Sequence, residues 1–316
     1  NANKMAKIAA DYLDIKVEDV AVASTGVIGR QMPMDILEPI AIKSLESLDN
    51  NREVANNAAD AILTTDTVRK ECAVEGQLED GTKFRVAGLC KGSGMIAPNM
   101  GTMLGFITTD LEVPRDQLEA MLRESVKRSF NMVVVDGDQS TNDTVILMST
   151  NEVKGEVDDN FKEALDYVCQ SLAKQIAKDG EGAKHFLEVE CSGARSEDDA
   201  ITVARSVVSS SLVKSAIFGA DPNWGRIITA MGYSGVDFDP DEVSISLIAG
   251  ENKATIVDCG VVMTYEDPAI LENAEAIMKN KDIRINVSLN DGDSTAVAYG
   301  CDLTYDYVKI NAEYTT

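Results

Sequence analysis

Apolar residues along this chain recur with either the helical or the strand period, and the two divide it into elements. Met5, Ile8, Ala9, Tyr12 and Leu13 fall at helical spacing, which predicts an amphipathic helix over 2–14. Val20–Ala23 reads as a short buried strand running into Ser24-Thr25-Gly26-Val27-Ile28-Gly29. Pro33 suits the first turn of a second helix at about 34–48, and Pro39 inside it predicts a kink or a break. Val54, Ala58, Ala61 and Ile62 mark a third helix ending near Thr64. Residues 70–79 and 83–90 alternate, with Glu79-Asp80-Gly81 between them as a hairpin signal. A strand at 103–109 follows, then a helix from Pro114 with Leu118, Met121, Leu122, Val126 and Phe130 on one face.

Met132–Val135 and Thr144–Met148 read as buried strands. Phe161, Leu165, Val168, Leu172 and Ile176 give the clearest helix, about 157–179, with Gly180 as its stop. A strand at 184–191 precedes Ser196-Glu197-Asp198-Asp199, a capping box for a helix reaching about Ala216. Strands at 243–249, 253–259, 283–289 and 294–300 alternate in the antiparallel manner, with a helix at about 267–279 between the pairs.

Composition changes the picture in three ways. The balance of 29 basic and 53 acidic residues gives a net charge of −24, which argues against a grip on nucleic-acid phosphates or anionic membranes. The six cysteines form no C-x-x-C pair and there is one histidine, so no metal site is expected; buried free thiols in a reducing cytosol fit better. No run of 18 apolar residues and no signal peptide occur, which predicts a cytoplasmic protein with no membrane span.

The candidate chemistry lies in Lys91-Gly92-Ser93-Gly94-Met95-Ile96-Ala97-Pro98-Asn99-Met100-Gly101-Thr102, a Gly/Pro-rich loop that delivers one hydroxyl to the start of a strand. With one histidine, His185, a hydroxyl nucleophile has little choice of imidazole base. An α-amine freed by a cut before Thr102 would titrate at about 7.7–8.0 and could take that role. Other residues keep two readings each. Lys91 is a solvated loop lysine, or it holds a substrate carboxylate or lowers a nearby amine's pKa. Thr25-Gly26 is a plain turn or an oxyanion hole, and Thr65, in a polar cluster after a helix, is a cap or turn residue or a ligand contact. Glu181, between two glycines, is an accessible turn acid or a partner for an ammonium group. Trp224 either lines a pocket or pins its loop to the core. Asp136-Gly137-Asp138 reads as a turn, and His185 as structural.

KGSGMIAPNMGTML (91–104) resembles the self-cleavage segment of the glutamate N-acetyltransferases, also called ornithine acetyltransferases. VASTGVIG (22–29), LTTDT (63–67), VDGDQSTNDT (135–144), DGEGA (179–183), DPNWGR (221–226) and CDLTYDYVKINAEYTT (301–316) resemble the same family in the same order. The resemblance implies an α/β fold of the α+β type: a layered sandwich of mainly antiparallel sheets covered by helices, self-processing and N-terminal-nucleophile-like. It implies a cut between Gly101 and Thr102, leaving 1–101 as the remainder of an alpha chain and 102–316 as a beta chain, with two copies of each piece in a heterotetramer. It also implies a further segment ahead of the helix at 2–14.

The implied reaction moves acetyl from N-acetylornithine to glutamate by a ping-pong route, with Thr102 as nucleophile and Thr25 and Gly26 as oxyanion donors. Substrate contacts would come from Thr65, Lys91, Thr102, Glu181, Asn311 and Thr316, with no cofactor and no metal. The family more often has alanine where this chain has Gly101. Some members also take acetyl from acetyl-CoA, which the sequence leaves open. The same nucleophile logic serves related self-processing aminopeptidases that pass the acyl group to water, and a non-catalytic, unprocessed amino-acid-binding protein is the other alternative.

Overall fold

The computed structural model describes residues 1–97 and 103–313. It opens with three helices, α1 (Ala2–Leu13), α2 (Met34–Glu46) and α3 (Arg52–Ala61). Of the kink or break expected at Pro39, the break does not occur, and α2 runs through it. Near a helix start, a missing N–H leaves only one carbonyl, that of the exposed Asp35, without its helical partner. Val20–Ala23 is likewise not a strand: it is irregular and largely half-exposed, and among the described residues it joins no sheet.

A hairpin of β1 (Lys70–Gln77) and β2 (Lys83–Lys91) follows, paired antiparallel from Lys70↔Cys90 to Gln77↔Lys83. Gly81 turns it with φ of 90°, a conformation that favours glycine. β3 (Leu104–Leu111) adds antiparallel to β2, and β5 (Thr144–Val153) adds parallel to β3, giving the sheet order β1-β2-β3-β5. Between β3 and β5 lie α4 (Arg115–Lys127) and the two-residue β4 (Val133–Val134), much shorter than the strand expected at 132–135.

α5 (Asp159–Lys178) is capped by the Asp158 side chain, which accepts the Phe161 amide. It lies between the two sheets. One side meets the hairpin, where a Cβ at Gly88 would come within 2.9 Å of Leu172. The other side carries Lys174 over the ring of Tyr299 and Lys178 over that of Phe186, both on the second sheet.

That sheet has seven strands in the order β4-β11-β6-β10-β7-β8-β9, built from β6 (Phe186–Ala194), β7 (Ser244–Ala249), β8 (Asn252–Asp258), β9 (Val261–Val262), β10 (Asp282–Ser288) and β11 (Ser294–Cys301). Most pairings are antiparallel; β6–β10 and β4–β11 are parallel. The helix expected from Ser196 to Ala216 is two helices, α6 (Glu197–Ser209) and α7 (Ser211–Phe218), bent by 56°. Ser210 makes the bend by capping α7, its hydroxyl accepting the Val213 amide. α8 (Trp224–Gly232), α9 (Met263–Glu266), α10 (Pro268–Met278) and α11 (Tyr305–Glu313) complete the chain. The result is the expected class: a layered, mixed α/β structure with sheets packed on helices.

The cysteines are free, but not all are buried as expected. Cys90, Cys169, Cys191 and Cys301 are, and burial pushes their thiols up; Cys72 is half-buried and Cys259 is exposed, in a tight turn at φ 41°. Among the described residues, no single helix is long and apolar enough to cross a membrane.

Candidate active site

Three strand ends share one edge of the four-stranded sheet. Lys91 at the end of β2 pairs with Leu104 at the start of β3, which pairs with Thr144 at the start of β5. Loops that enter or leave these strands therefore gather at this edge. They enclose a cavity of about 160 Å³ whose wall includes Thr25, Gly26, Thr65, Lys91 and Asn311. These five expected site residues, drawn from both ends of the chain, meet in one place. Thr102, Gly101 and Thr316 lie outside the described residues.

Lys91 is not a solvated loop lysine. It is 3% exposed, and its Nζ donates to Thr64 Oγ1 at 2.9 Å. Among the described residues no carboxylate lies within ion-pair distance of it. Burial lowers its pKa, against the more distant pull of Asp66, Asp143 and Glu181. A buried ammonium whose one partner among the described residues is a hydroxyl is costly to keep, and an anion in the cavity would offset that cost.

Beneath the cavity lies a buried network that periodicity and motifs do not reveal. Lys70, 1% exposed, donates to Asp66 at 2.6 Å and to Asp179 at 2.5 Å. Asp66 accepts the Gly92 amide at 2.7 Å and the Thr64 amide at 3.2 Å. Burial works to raise the Asp66 carboxyl, but the hydrogen bond from Lys70 and these two amides outweigh it and hold it below the usual range. Asp179 accepts the Thr67 amide at 3.0 Å and also the Thr67 hydroxyl. One ion cluster thus ties both walls of the cavity, 64–67 and 91–92, to the end of α5. The sequence signal is Asp66 and Lys70 at a four-residue spacing, hidden in what looks like ordinary turn chemistry.

Glu181 differs from its expected accessible position: it is 8% exposed. Its amide donates to the Ser93 carbonyl at 3.0 Å, and Asn311 Nδ2 donates to its Oε2 at 2.7 Å. Asn311 therefore does reach the site, on α11, and bridges the cavity to Glu181. Gly94 lies against that carboxylate so closely that a Cβ on it would overlap the Glu181 oxygens. Gly94→Ala is expected to push Glu181 aside and weaken binding of an ammonium-bearing substrate about tenfold or more. Titration of the wild type and the variant with such a ligand checks this, and unchanged affinity would exclude Glu181 from the contact.

At Gly26 the space is open instead: a methyl group there would meet nothing within 4 Å, so packing does not demand glycine. The backbone beside Thr25 is simply left uncovered toward the cavity. Ser140, Thr141 and Asn142 also line the wall. Their segment carries no catalytic motif; its signal is the long polar run between two apolar strands. Asp136 in that segment accepts the amides of Met95 and Ile96 at 2.7 and 3.0 Å, fixing the first part of the loop. Asp143 accepts the Met103 amide at 2.9 Å, just ahead of β3.

Two residues stay apart from this site. His185 is structural, as expected, with Nδ1 2.8 Å from Asp302 Oδ2. Trp224 packs against the core and edge-on to Tyr265, so it pins its loop and does not line the cavity.

Fold and site together define a layered α/β protein with a small cleft of mixed polar and apolar lining at a shared strand edge, supplied with a buried cation that no described carboxylate pairs and suited to a compact anionic ligand. The ArgJ family matches residues 1–316, and the chain belongs to that family. Glutamate N-acetyltransferase from Methanothermobacter thermautotrophicus is 52% identical over 316 residues, which is 100% of this chain and 78% of that protein. The glutamate N-acetyltransferase of Methanocaldococcus jannaschii is 47% identical over 100% of this chain and 79% of its own length. Among solved structures, the arginine biosynthesis bifunctional protein ArgJ from Bacillus halodurans is 38% identical with a TM-score of 0.59, covering 66% of this chain and 97% of its own.

Proposed function

We propose that this chain is a glutamate N-acetyltransferase of arginine biosynthesis, moving the acetyl group of N2-acetyl-L-ornithine to L-glutamate in the cytoplasm. It first cuts itself between Gly101 and Thr102, leaving 1–101 as the remainder of one kind of chain and 102–316 as the other in a heterotetramer. Thr102 Oγ attacks the Gly101 carbonyl, the acyl group shifts from nitrogen to oxygen, and water hydrolyses the ester. Glycine at 101 gives that attack little steric resistance. The freed α-amine of Thr102 then takes the proton from its own Oγ, which attacks the acetyl carbonyl. Thr25 and Gly26 donate hydrogen bonds to the developing oxyanion.

The ammonium returns its proton to the departing ornithine nitrogen, and an acetyl-threonine ester remains. The glutamate amine attacks that ester, and Thr102 is regenerated. Lys91 holds the substrate carboxylate, Glu181 with Asn311 the ammonium, and Thr65 and Thr316 further polar groups. The acetyl group rides on the protein, so the route needs no cofactor.

The observation that carries this reading is Lys91, a buried ammonium that faces a small cavity and has no described carboxylate within ion-pair distance. Both substrates carry one. The names of the relatives support the same reaction.

The test is kinetic. Varying both substrates should give parallel double-reciprocal lines, and acetylornithine alone should release one ornithine per site and leave one acetyl on the piece beginning at Thr102. Intersecting lines with no acetyl-enzyme would overturn the mechanism. Acetate release that ignores glutamate would assign the chain to the hydrolases.

A further inference from the structure

Glu181 and Asn311 form one end of the site, and the hydrogen bonds around them fix what their side chains can offer. Asn311 Nδ2 carries two protons. One goes to Glu181 Oε2 at 2.7 Å and the other to the Tyr307 carbonyl at 3.1 Å. Turning the amide over would set its oxygen against two acceptors, so its orientation follows from the network. Asn311 lines the cavity and has only its carbonyl oxygen left to present there. Among the described residues, the one donor to the Glu181 carboxylate is Asn311. The two side chains at this end therefore offer acceptors. Of the described residues that line the cavity, Lys91 is the one with a charge.

On the function proposed above, the two substrates bring opposite charges to that end. The acetylated nitrogen of acetylornithine and the attacking nitrogen of glutamate handle the same acetyl group in turn, so both visit one spot. With each α-carboxylate on Lys91, the two side chains run the same way. The δ-nitrogen of ornithine and the side-chain carboxylate oxygens of glutamate stand the same number of bonds from Cα. One substrate thus brings an ammonium to Glu181 and Asn311, and the other brings a carboxylate. We propose that glutamate is admitted with one extra proton, shared between its side-chain carboxylate and Glu181, so that Glu181 lets one pocket serve side chains of opposite charge. The ornithine ammonium donates to Glu181 and to the Asn311 carbonyl and needs no such proton. Two carboxylates brought together there do not both stay ionised, and one proton between them turns repulsion into an O–H···O⁻ hydrogen bond. That proton belongs to the pair, not to either carboxyl alone. It comes from solvent as glutamate enters and returns as acetylglutamate leaves, so the acetyl transfer balances without it.

The groups packed around Glu181 leave this role to it. Lys91 on β2 and Tyr307 on α11 both feel its charge. Lys91 is committed to the α-carboxylate in either complex. Burial and the neighbouring carboxylates Asp136, Asp138 and Glu181 push the Tyr307 phenol up, so it keeps its proton at neutral pH. Asp179, two positions before Glu181, is taken by Lys70 and Thr67. Lys184 and Asp306 pair with each other at 2.8 Å.

The experiment uses the cut, assembled enzyme and two inert probes. Glutarate is glutamate without its amine, and 5-aminopentanoate is ornithine without its α-amine. Calorimetry at pH ~7 in buffers of different ionisation enthalpy counts the protons taken up on binding. Glutarate should take up close to one and 5-aminopentanoate close to none. From pH ~7 to ~9 glutarate affinity should fall, relative to 5-aminopentanoate, toward about tenfold per pH unit. Both probes use Lys91 alike, so its own titration cancels in that ratio. In Glu181→Gln the new amide still accepts from Asn311 and turns a donor to the ligand. Glutarate uptake should vanish there, and 5-aminopentanoate should bind about tenfold more weakly or worse. Equal proton counts for the two probes in wild type overturn the proposal, as does glutarate uptake that survives in Glu181→Gln. Should the variant stay uncut, the wild-type comparison decides. If neither probe competes with acetylornithine, the proposed function fails. If both compete with equal proton counts, this inference alone fails.

Discussion

Thr102→Ala is expected to leave the chain in one piece and to abolish acetyl transfer. Alanine removes the hydroxyl needed for both events, so the two losses arrive together. Activity should fall by at least about 10⁴-fold, as when a covalent nucleophile is removed from other enzymes. Thr102→Ser keeps a hydroxyl and should retain both events at reduced rates. Intact mass spectrometry reads the cut, and ornithine release reads the transfer. A Thr102→Ala chain that is still split before residue 102 would rule out self-processing by this hydroxyl. A split wild type with unimpaired transfer in the variant would rule out the acetyl-threonine step.

Lys70→Met should cost about 3–5 kcal/mol of folding stability at neutral pH, the usual penalty for removing one partner from a buried charge cluster. Methionine fills the volume but leaves Asp66 and Asp179 facing each other without a cation. The damage should also reach the site, because Asp66 holds the Thr64 and Gly92 amides and Asp179 holds Thr67. Asp66 has a depressed pKa in the folded protein. Its contribution is therefore present above the ordinary aspartate pKa of about 3.9 and is lost as pH falls through the lower folded value. In the variant the Asp66 carboxyl loses the hydrogen bond from Lys70 that lowers its pKa and is easier to protonate, so the gap between wild type and variant should narrow toward pH ~4. Urea unfolding at the two pH values measures this. A variant within about 1 kcal/mol of wild type would mean the cluster contributes little.

The parts of this architecture set by local rules are readable from the chain. The hairpin at 70–91, the long α5 and the β7–β8 pair follow from periodicity and turn residues, but the strands expected at 283–289 and 294–300 do not pair with each other: β6 lies between β10 and β11. Periodicity misleads where tertiary context decides. Val20–Ala23 has strand-like residues but no neighbouring strand, and Ser210 splits a helix that periodicity alone makes continuous.

At the site, motifs find residues and packing gives them meaning. Thr25, Thr65, Lys91 and Asn311 stand out in the sequence, but the burial of Lys91 is not legible there, because it depends on how three strand ends meet. Glu181 looks accessible between two glycines, and only the fold shows Ser93 and Asn311 closing over it. Asp66, Lys70, Asp136, Asp143 and Asp179 stay hidden for a common reason. A charged residue in or beside a loop looks the same on paper whether it faces water or a buried partner.

The bond proposed to break lies between β2 and β3, yet those strands are laddered together from Val86↔Thr109 to Lys91↔Leu104. Scission there is a nick in a woven fabric, not a seam between two garments. The earlier piece contributes β1 and β2, the later one β3, β5 and the α5 layer that covers the hairpin. The later piece holds most of the buried core, and the earlier one lays its hairpin against it. Maturation should thus pass unseen by a sizing column under native conditions, and the catalytic terminus stays tethered by its partner strand.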